Sequence, residues 1–287
     1  MSTPTSPLAL LDVVAPDFGA TLDAGASPPI ARVPVIRASG RRHEFVLQLS
    51  VTGDTVHARE APPGDLPQFC PDRHINGDRT FCLGWGPTSP STVKDEATAR
   101  AWWTALVRFL RLQVTASETR RWVNGASDWA HGDAAQHQAQ AEAAAEALGR
   151  RFRDDLQRGA FSVLHEPHAR GARVALRRDG AQIARIVLGP PARIKGGEVA
   201  CPCELPGNQA VAACGDHVEH LTTFISELWN WRSKEAEFAR QLARTGVKCC
   251  GTLENCTLRN AIVEVGSQRK TKERHARRHR PRRRPRV

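Results

Sequence analysis

Three short stretches near the start of the chain alternate between apolar and polar residues. In the second of them Phe45, Leu47 and Leu49 fall on one side, which is the two-residue period of a half-buried strand. Gly53-Asp54 then supplies a turn between two β-prone stretches. The pattern predicts an antiparallel β-meander with strands at 32–37, 43–51 and 55–60.

Two later segments have apolar residues at three- and four-residue spacing, as on the buried face of a helix. The first spans 99–114, with Thr92 as its predicted cap. The second spans about 216–245 and ends before Gly246. Between them, the Ala- and Gln-rich stretch 136–156 predicts a helix with only small apolar residues, as in a peripheral helix or a bridge between domains.

The second half of the chain contains a predicted hairpin. Two alternating runs within 173–188 are joined by Asp179-Gly180, a dipeptide typical of tight hairpin turns. Together these elements predict an α+β fold, with an antiparallel meander and packed helices followed by a second small α+β domain. The predicted parts are a flexible N-terminal segment at 1–30, a first domain at 31–158, a second domain at 159–266 and a disordered basic tail at 267–287.

The positive charge of the chain is concentrated at its C-terminus. The sequence has 41 Lys and Arg against 30 Asp and Glu, a formal net charge of +11. Residues 269–287 contain 11 basic residues and one acidic residue, so the remaining 30 basic and 29 acidic residues nearly balance. Such a run can bind a nucleic acid, an acidic partner protein or an anionic membrane surface, or it can be a solvated tail of minor function.

The composition argues against a membrane protein. No apolar run approaches the roughly 20 residues of a membrane helix, and the first residues lack the basic start of a secretion signal. We therefore expect a cytoplasmic protein with no membrane partner. With no Tyr and nine Phe, few aromatic side chains are available to stack on nucleic-acid bases.

Eight cysteines in such a chain favour metal binding or thiol chemistry over structural disulfides. Several bracket the second long helix with the spacings Cys-x-Cys and Cys-x-x-His, and these residue types predict a structural zinc ion that stabilises the second domain. Reduced core cysteines are the alternative, and Cys249-Cys250 is also a candidate redox or nucleophilic site. The candidate ligands are Cys201, Cys203, Cys214, His217, Cys249, Cys250 and Cys256, with His220 nearby.

The segment 61–90 is a long loop with a second concentration of candidate chemistry. Loops of this length inside a compact domain are more often functional than idle. Here His74-Ile75-Asn76 precedes Phe81-Cys82-Leu83, after the strands and ahead of the first long helix. An exposed cysteine thiolate is a nucleophile, and a nearby Asn side chain can stabilise the oxyanion that forms when the resulting thioester is attacked.

This order resembles the ubiquitin-conjugating enzymes over about residues 30–125. In that family a meander leads into a loop with His-Pro-Asn, then the active cysteine followed by Leu, then a helix behind the site. The resemblance implies that His74 props the loop, Asn76 stabilises the loop and the oxyanion, and Cys82 forms the thioester. The chain differs in having Ile75 where proline is usual, a shorter stretch before the cysteine, and no long helix ahead of the strands.

Other interpretations of these segments stay open. Cys70, His74 and Cys82 could ligate a zinc ion, although their spacing matches no common zinc module. Cys82 could also be a small buried apolar residue. Further along, the tryptophans at 122 and 129 fit packing on the core better than a binding surface, and His131 as a general base has no further support in the sequence.

On the resemblance, we expect an enzyme that carries a ubiquitin-like modifier as a thioester on Cys82 and transfers it to an amine of a target protein. The resemblance also implies an activating enzyme and a bacterial conjugation pathway, with antiviral defence as the setting. The alternative is a non-catalytic, zinc-stabilised adaptor that binds nucleic acid or an acidic partner through its basic tail.

Overall fold

The structure, a computed structural model, describes residues 6–86, 89–123, 129–167, 171–195, 199–203 and 209–278, with side chains through Gln268. Within these residues the fold is α+β, as predicted, and contains two four-stranded antiparallel sheets. The chain divides into two compact units. The first combines Met1–Val123 with Ala239–Val287, and the second is Asn124–Phe238.

The first unit opens with a short helix and an antiparallel meander. The strands of this sheet lie side by side in chain order, each antiparallel to the next. Thr52 pairs with Thr55 across the turn at Gly53-Asp54, so the predicted meander and its turn are confirmed. The elements are α1 at Pro7–Val14, β1 at Thr21–Asp23, β2 at Ile30–Ile36, β3 at Arg42–Thr52 and β4 at Thr55–Glu60.

Helix α2, at Glu96–Thr119, buries its apolar face in the same core as the meander. Trp102 and Trp103 are fully buried. The indole Nε1 of Trp102 donates to the carbonyl oxygen of Val56 at 3.2 Å, and that of Trp103 donates to the carbonyl oxygen of Leu11 at 3.0 Å. Because buried indole N–H groups need an acceptor, these bonds fix α2 against both β4 and α1.

Residues 6–30, part of the segment that the composition predicts to be flexible at 1–30, contain helix and strand. Leu11 and Val14 of α1 are fully buried, and β1 pairs with β2. Ser6 caps α1, because its hydroxyl accepts from the backbone N–H of Ala9 at 3.3 Å. A helix of eight residues is marginal alone, so its order depends on packing against α2, which local composition does not report.

The start of α2 also corrects a prediction, because Asp95 rather than Thr92 caps the helix. The Asp95 carboxylate accepts from the backbone N–H of Thr98 at 2.8 Å, and the backbone N–H of Asp95 donates to the Thr98 hydroxyl at 3.0 Å. This reciprocal arrangement is a capping box. The same contacts from Thr98 hold the pKa of Asp95 below its ordinary value.

The C-terminal part of the first unit is helical. Helix α5 spans His217–Arg244, close to the predicted 216–245, and its residues from Ala239 belong to this unit. Helix α6 spans Thr257–Arg278, so it covers the beginning of the segment predicted as a disordered tail from 267. Residues 279–287 lie outside the described part of the chain, and a partner for the basic run stays a prediction.

The second unit packs two short helices, a second meander and most of α5 around one core. Three phenylalanines form its centre, with ring centroids 4.5 to 5.1 Å apart. Asp179 and Gly180 have φ values of 49° and 85°, as a type I′ turn requires, which confirms the predicted hairpin. The elements are α3 at Ala134–Ala147, α4 at Arg150–Gln157, β5 at Phe161–Glu166, β6 at Arg173–Arg178, β7 at Ala181–Val187 and β8 at Arg193–Ile194.

The division of the chain differs from the boundary predicted between 158 and 159. Ala141 and Ala145 of α3 and Phe152 of α4 lie in the same core as Ile186 and Phe224, so both helices belong to the second unit. The small apolar face of α3 does not indicate this, because alanines leave room for close packing without showing a strong hydrophobic stripe.

His131 has a packing role within the second unit. Its Nδ1 lies 3.3 Å from Oε1 of Glu235, and its ring stacks on Phe238 at a centroid distance of 4.8 Å. These contacts agree with the expectation that this region packs on the core.

Candidate active site and metal centre

The segment 70–82 lies in a predicted loop but forms a small hairpin. The backbone N–H of Cys82 donates to the carbonyl oxygen of His74 at 2.8 Å, and that of Asn76 donates to the carbonyl oxygen of Thr80 at 2.9 Å. Ile75 pairs with Phe81 between these contacts. The register therefore sets Cys82 opposite His74, and Asn76 opposite Thr80.

The two faces of this hairpin differ in burial. Ile75 and Phe81 are 2% and 4% exposed and belong to the core of the first unit, while Phe81 stacks on Phe109 of α2 at 4.6 Å. Asn76 is exposed and Cys82 is half-buried. Because side chains alternate along a strand, the hairpin presents Cys82 and Asn76 on the face opposite the core. Cys82 is accordingly not the buried apolar residue considered above.

The turn of the hairpin is held by side chains. Asn76 Nδ2 donates to the hydroxyl of Thr80 at 3.0 Å. The Asp78 carboxylate accepts from the Thr80 hydroxyl at 2.7 Å and from the Thr80 backbone N–H at 3.0 Å. These bonds to Thr80 hold the pKa of Asp78 below its ordinary value. The amide of Asn76 thus contacts Thr80 of its own turn. Cys82 follows Thr80 on the same strand of the hairpin and lies on the same face.

His74 redirects the chain into the hairpin. It follows a 3₁₀ turn at Pro71–Arg73 and has a φ of 53°, in the left-handed region, which histidine adopts more readily than most residues. Its side chain is 9% exposed, and its ring lies 5.6 Å from that of Trp122. His74 therefore supports the hairpin both through its backbone and through packing.

Arg73 is only 1% exposed, and its buried guanidinium holds the same segment through hydrogen bonds. Its Nε donates to Oε1 of Gln113 at 2.7 Å, and its guanidinium also donates to the Gln113 carbonyl, the Ser117 hydroxyl and the Thr252 hydroxyl at 3.0 to 3.2 Å. Gln113 Nε2 returns a bond to the Arg73 carbonyl oxygen at 2.7 Å. Burial lowers the pKa of Arg73 below its ordinary value.

The segment between α5 and α6 completes this support. The Asp72 carboxylate accepts from the backbone N–H of Thr257 at 2.7 Å and also contacts its hydroxyl, so it stabilises the first turn of α6. The sulfur atoms of Cys70 and Cys250 are 3.1 Å apart. The sequence gives no local signal for these contacts, because the partners are separated by 179 to 185 residues.

Four predicted metal ligands converge in the second unit. Cys201, Cys203, Cys214 and His217 place their ligand atoms within 4.8 Å of one another. His217 Nδ1 lies 3.2 Å from the sulfur of Cys201 and 3.1 Å from that of Cys214, and the sulfurs of Cys203 and Cys214 are 3.5 Å apart. Burial raises the pKa of Cys201 to about 12. Three thiols and one imidazole at these distances are a donor set that fits a tetrahedral metal ion.

Local folding explains the convergence. Ala200 pairs with Ala210, which brings Cys201 and Cys203 towards the short helical turn ahead of Cys214. His217 is the first residue of α5. The Cys-x-Cys and Cys-x-x-His motifs lie on two separate segments, and this local folding brings their ligand atoms together.

The structure divides the predicted set of metal ligands. Cys249, Cys250 and Cys256 belong to the first unit, whereas the Cys201 centre belongs to the second, so the seven candidates do not form one site. His220 is also separate, because its Nε2 contacts Asp216 at 3.2 Å.

The local zinc site of Cys70, His74 and Cys82 is not formed either. Among the described residues, the Cys201 centre alone brings three or more such ligand atoms within 4.8 Å.

Two protein-family models match successive parts of the chain, and the boundary between them falls near the start of the second unit. Residues 20–124 match a prokaryotic E2 domain, E2-ntca, and residues 130–258 match E2-Crich, a cysteine-rich domain C-terminal to the E2 domain. E2 denotes the ubiquitin-conjugating class, and the two matches support a bacterial E2-like family. No curated protein and no solved structure matches the chain.

The E2 match points to ubiquitin-like conjugation by a transferase as the general class of activity. An E2 domain implies an activating enzyme and a ubiquitin-like modifier as partners. The cysteine-rich match contains the Cys201 centre, which is able to hold a metal ion. Of the helices that the structure describes, none has the length and apolar character needed to cross a membrane.

Proposed function

We propose that the protein carries a ubiquitin-like modifier as a thioester on Cys82 and transfers it to an amine of a target protein. The observation that carries this proposal is the hairpin register, which presents the half-buried Cys82 beside Asn76 with Ile75 and Phe81 buried behind them. The thiol is thus accessible to a macromolecular acyl donor and stands on a rigid support.

The chemistry consists of two acyl transfers. In the first, the Cys82 thiolate attacks the carbonyl carbon of the modifier's thioester on the activating enzyme, and the thiolate of that enzyme leaves. In the second, a target amine attacks the Cys82 thioester, the Cys82 thiolate leaves, and this thiolate takes up the proton that the amine loses, which gives an amide and the free thiol. A thioester is already activated, so positioning and oxyanion stabilisation supply most of the rate.

Asn76 is the proposed oxyanion and loop-stabilising residue, and His74 is the proposed support. The Asn76 amide has a second N–H beyond the one directed at Thr80, and it lies on the face of Cys82. His74 holds the backbone of Cys82 through its carbonyl oxygen at 2.8 Å. Neither role requires His74 to exchange a proton.

The first test is formation of the thioester. The protein is incubated with its modifier, the activating enzyme and ATP, and adducts are resolved with and without a thiol reductant. We expect a reductant-sensitive adduct, no adduct with Cys82→Ala, and a reductant-resistant oxygen ester with Cys82→Ser. Cys82→Ala keeps the seven other cysteines, so an adduct that persists in this variant contradicts the proposal.

The second test separates the two roles of Asn76. Thr80→Val removes the acceptor of the Asn76 amide at 3.0 Å but leaves the amide in place. If Asn76 stabilises the oxyanion, Asn76→Ala slows discharge to a free amine by about 10²- to 10³-fold, and Thr80→Val has a much smaller effect. Equal effects of the two substitutions would assign Asn76 to the turn alone.

We also propose that the metal of the Cys201 centre is zinc and that its role is structural. Four protein ligands leave no open position, as in structural zinc sites. Metal analysis is expected to show that Cys201→Ser/Cys203→Ser loses about one equivalent of zinc. A variant that keeps its full metal content contradicts this assignment.

The biological setting is part of the proposal. The family resemblance supports a bacterial conjugation pathway, with antiviral defence as its context. Genes for an activating enzyme and a ubiquitin-like modifier beside the gene of this protein are the expected finding.

A further inference from the structure

The four cysteines outside the Cys201 centre and the hairpin face gather in a second place. Cys70 and Cys256 are buried in one small cluster of the first unit, and Cys249 and Cys250 pack against it. The Cys70 and Cys250 sulfurs are 3.1 Å apart, and Cys249 packs against the cluster that contains Cys256, where burial first and then Cys249 raise the pKa of the Cys256 thiol. Two thiol pairs therefore lie between the start of the hairpin and the segment that joins α5 to α6.

Polar groups around these sulfurs are arranged as donors. The backbone N–H of Gly251 donates to the sulfur of Cys249 at 3.4 Å. The Thr252 hydroxyl lies 3.1 Å from the sulfur of Cys250 and accepts from Arg73 Nη1 at 3.2 Å, so its own proton is available to that sulfur. Donors of this kind stabilise sulfur in its anionic or metal-bound form, as outer contacts do in metal sites.

A buried cation lies next to these sulfurs, and the Asp72 carboxylate is also close to them. The guanidinium of Arg73 is 1% exposed, and its four hydrogen-bond acceptors among the described residues are two hydroxyls, an amide and a backbone carbonyl, with no carboxylate. Arg120 and Arg259 donate to backbone carbonyls of the same segment, at Gly251 and Leu253. A buried cation is costly without an anion close by.

We propose that Cys70, Cys249, Cys250 and Cys256 form a second metal site that binds one zinc ion. Four thiolates around a divalent ion carry a net charge of −2, opposite in sign to the buried Arg73, and tetrahedral sites with four cysteines are typical of structural zinc. Zinc–sulfur bonds of about 2.3 Å place the sulfurs about 3.8 Å apart. No three of these sulfurs lie within 4.8 Å of one another, so binding requires rotation of side chains that brings the two pairs together.

A Cys70–Cys250 disulfide is the competing use of the 3.1 Å contact. It would engage only two of the four cysteines. It would also remove the Cys250 thiolate. That thiolate is the acceptor for the Thr252 hydroxyl, which in turn accepts a hydrogen bond from Arg73. The metal site accounts for all four thiols and for the buried charge.

This site would tie the proposed catalytic hairpin to the C-terminal segment. Cys70 precedes His74 by a single 3₁₀ turn, so a metal at Cys70 fixes the point from which the hairpin starts. The inference does not depend on chemistry at Cys82, because metal content and thioester formation are measured separately.

The test is the metal content of the full chain. We expect about two equivalents of zinc in the wild-type protein, and about one in Cys70→Ser, in Cys249→Ser/Cys256→Ser and in Cys201→Ser/Cys203→Ser. Cys82→Ser is the matched control, because it removes a cysteine of the same hairpin, and it is expected to keep both equivalents. A wild-type content of one equivalent that Cys70→Ser leaves unchanged would overturn the proposal.

A second measurement uses only the wild-type protein, in case a ligand variant does not fold. Cysteines are alkylated in the zinc-loaded and the chelator-treated protein, and each site is quantified by mass spectrometry. Cys70, Cys249, Cys250 and Cys256 are expected to be protected together in the loaded protein and modified after chelation, while Cys82 is modified in both. Equal modification with and without chelator, or recovery of a Cys70–Cys250 disulfide, would overturn the proposal.

Discussion

Replacing Arg73 with methionine tests how much the buried guanidinium stabilises the first unit. The substitution removes four donors, but Ser117 still donates to the Gln113 carbonyl at 2.9 Å, and Thr252 keeps its contact with Cys250 at 3.1 Å. The group left without a partner is Oε1 of Gln113, whose side chain is fully buried. An unsatisfied buried amide costs about 1–3 kcal/mol, and a hydrogen bond to a charged group contributes about 1.5–3 kcal/mol.

Because methionine also removes the cost of burying the charge, we expect a net loss of about 2–4 kcal/mol in the free energy of unfolding. The measurement is urea-induced unfolding followed by circular dichroism. Arg111→Met is the matched control, since Arg111 is exposed on the same helix as Gln113, and it is expected to change stability by less than about 0.5 kcal/mol. The reasoning is refuted if Arg73→Met behaves like this control, or if its effect simply adds to that of Gln113→Met, because members of one network are not additive.

Three further predictions concern other parts of the chain. Leu11→Ala is expected to destabilise the protein by about 2–5 kcal/mol in thermal or urea unfolding, because Leu11 is fully buried. Val13→Ala is the control and is expected to have little effect, because Val13 is 72% exposed. Equal effects of the two substitutions would contradict the packing of α1. The pKa of Asp78, followed by NMR of its carboxyl carbon, is expected to lie below about 3.9 and to rise in Thr80→Val. The stability that the Asp78 carboxylate gives to the turn is therefore fully present above the ordinary pKa, and it is lost as the pH falls through the lowered pKa. A pKa of Asp78 that Thr80→Val leaves unchanged would contradict the role of these hydrogen bonds. Gly180→Ala, at a φ of 85°, is expected to cost about 1–2 kcal/mol, and a neutral effect in urea unfolding would contradict the turn geometry.

Much of the fold follows from local patterns. The alternation around Phe45 and the Asp179-Gly180 turn predict strands because a strand buries every second residue and a tight turn needs left-handed residues. The long amphipathic helices follow for the same reason. The hairpin that carries Asn76 and Cys82 does not follow from such a pattern, because the segment 61–90 shows no periodicity and is predicted as a loop.

The remaining features depend on contacts between distant segments. Arginine is almost never fully buried unless paired, so nothing in the sequence around Arg73 indicates that it lies under the hairpin. Cys70 and Cys250 are separated by 180 residues, and local spacing suggests other partners for each. The order of α1 likewise depends on α2, which begins more than 80 residues later.

The discontinuous first unit has a consequence for the order of folding during synthesis. The second unit, Asn124–Phe238, is one continuous stretch, and it is translated before the residues from Ala239 that complete the first unit. Until Thr252 and Thr257 have been made, Asp72 lacks its contacts at the start of α6 and Arg73 lacks one of its hydrogen-bond acceptors. Domains usually fold in the order in which they emerge, but here the unit that begins first is finished last. The candidate catalytic hairpin therefore reaches its final support only after translation has passed Thr257.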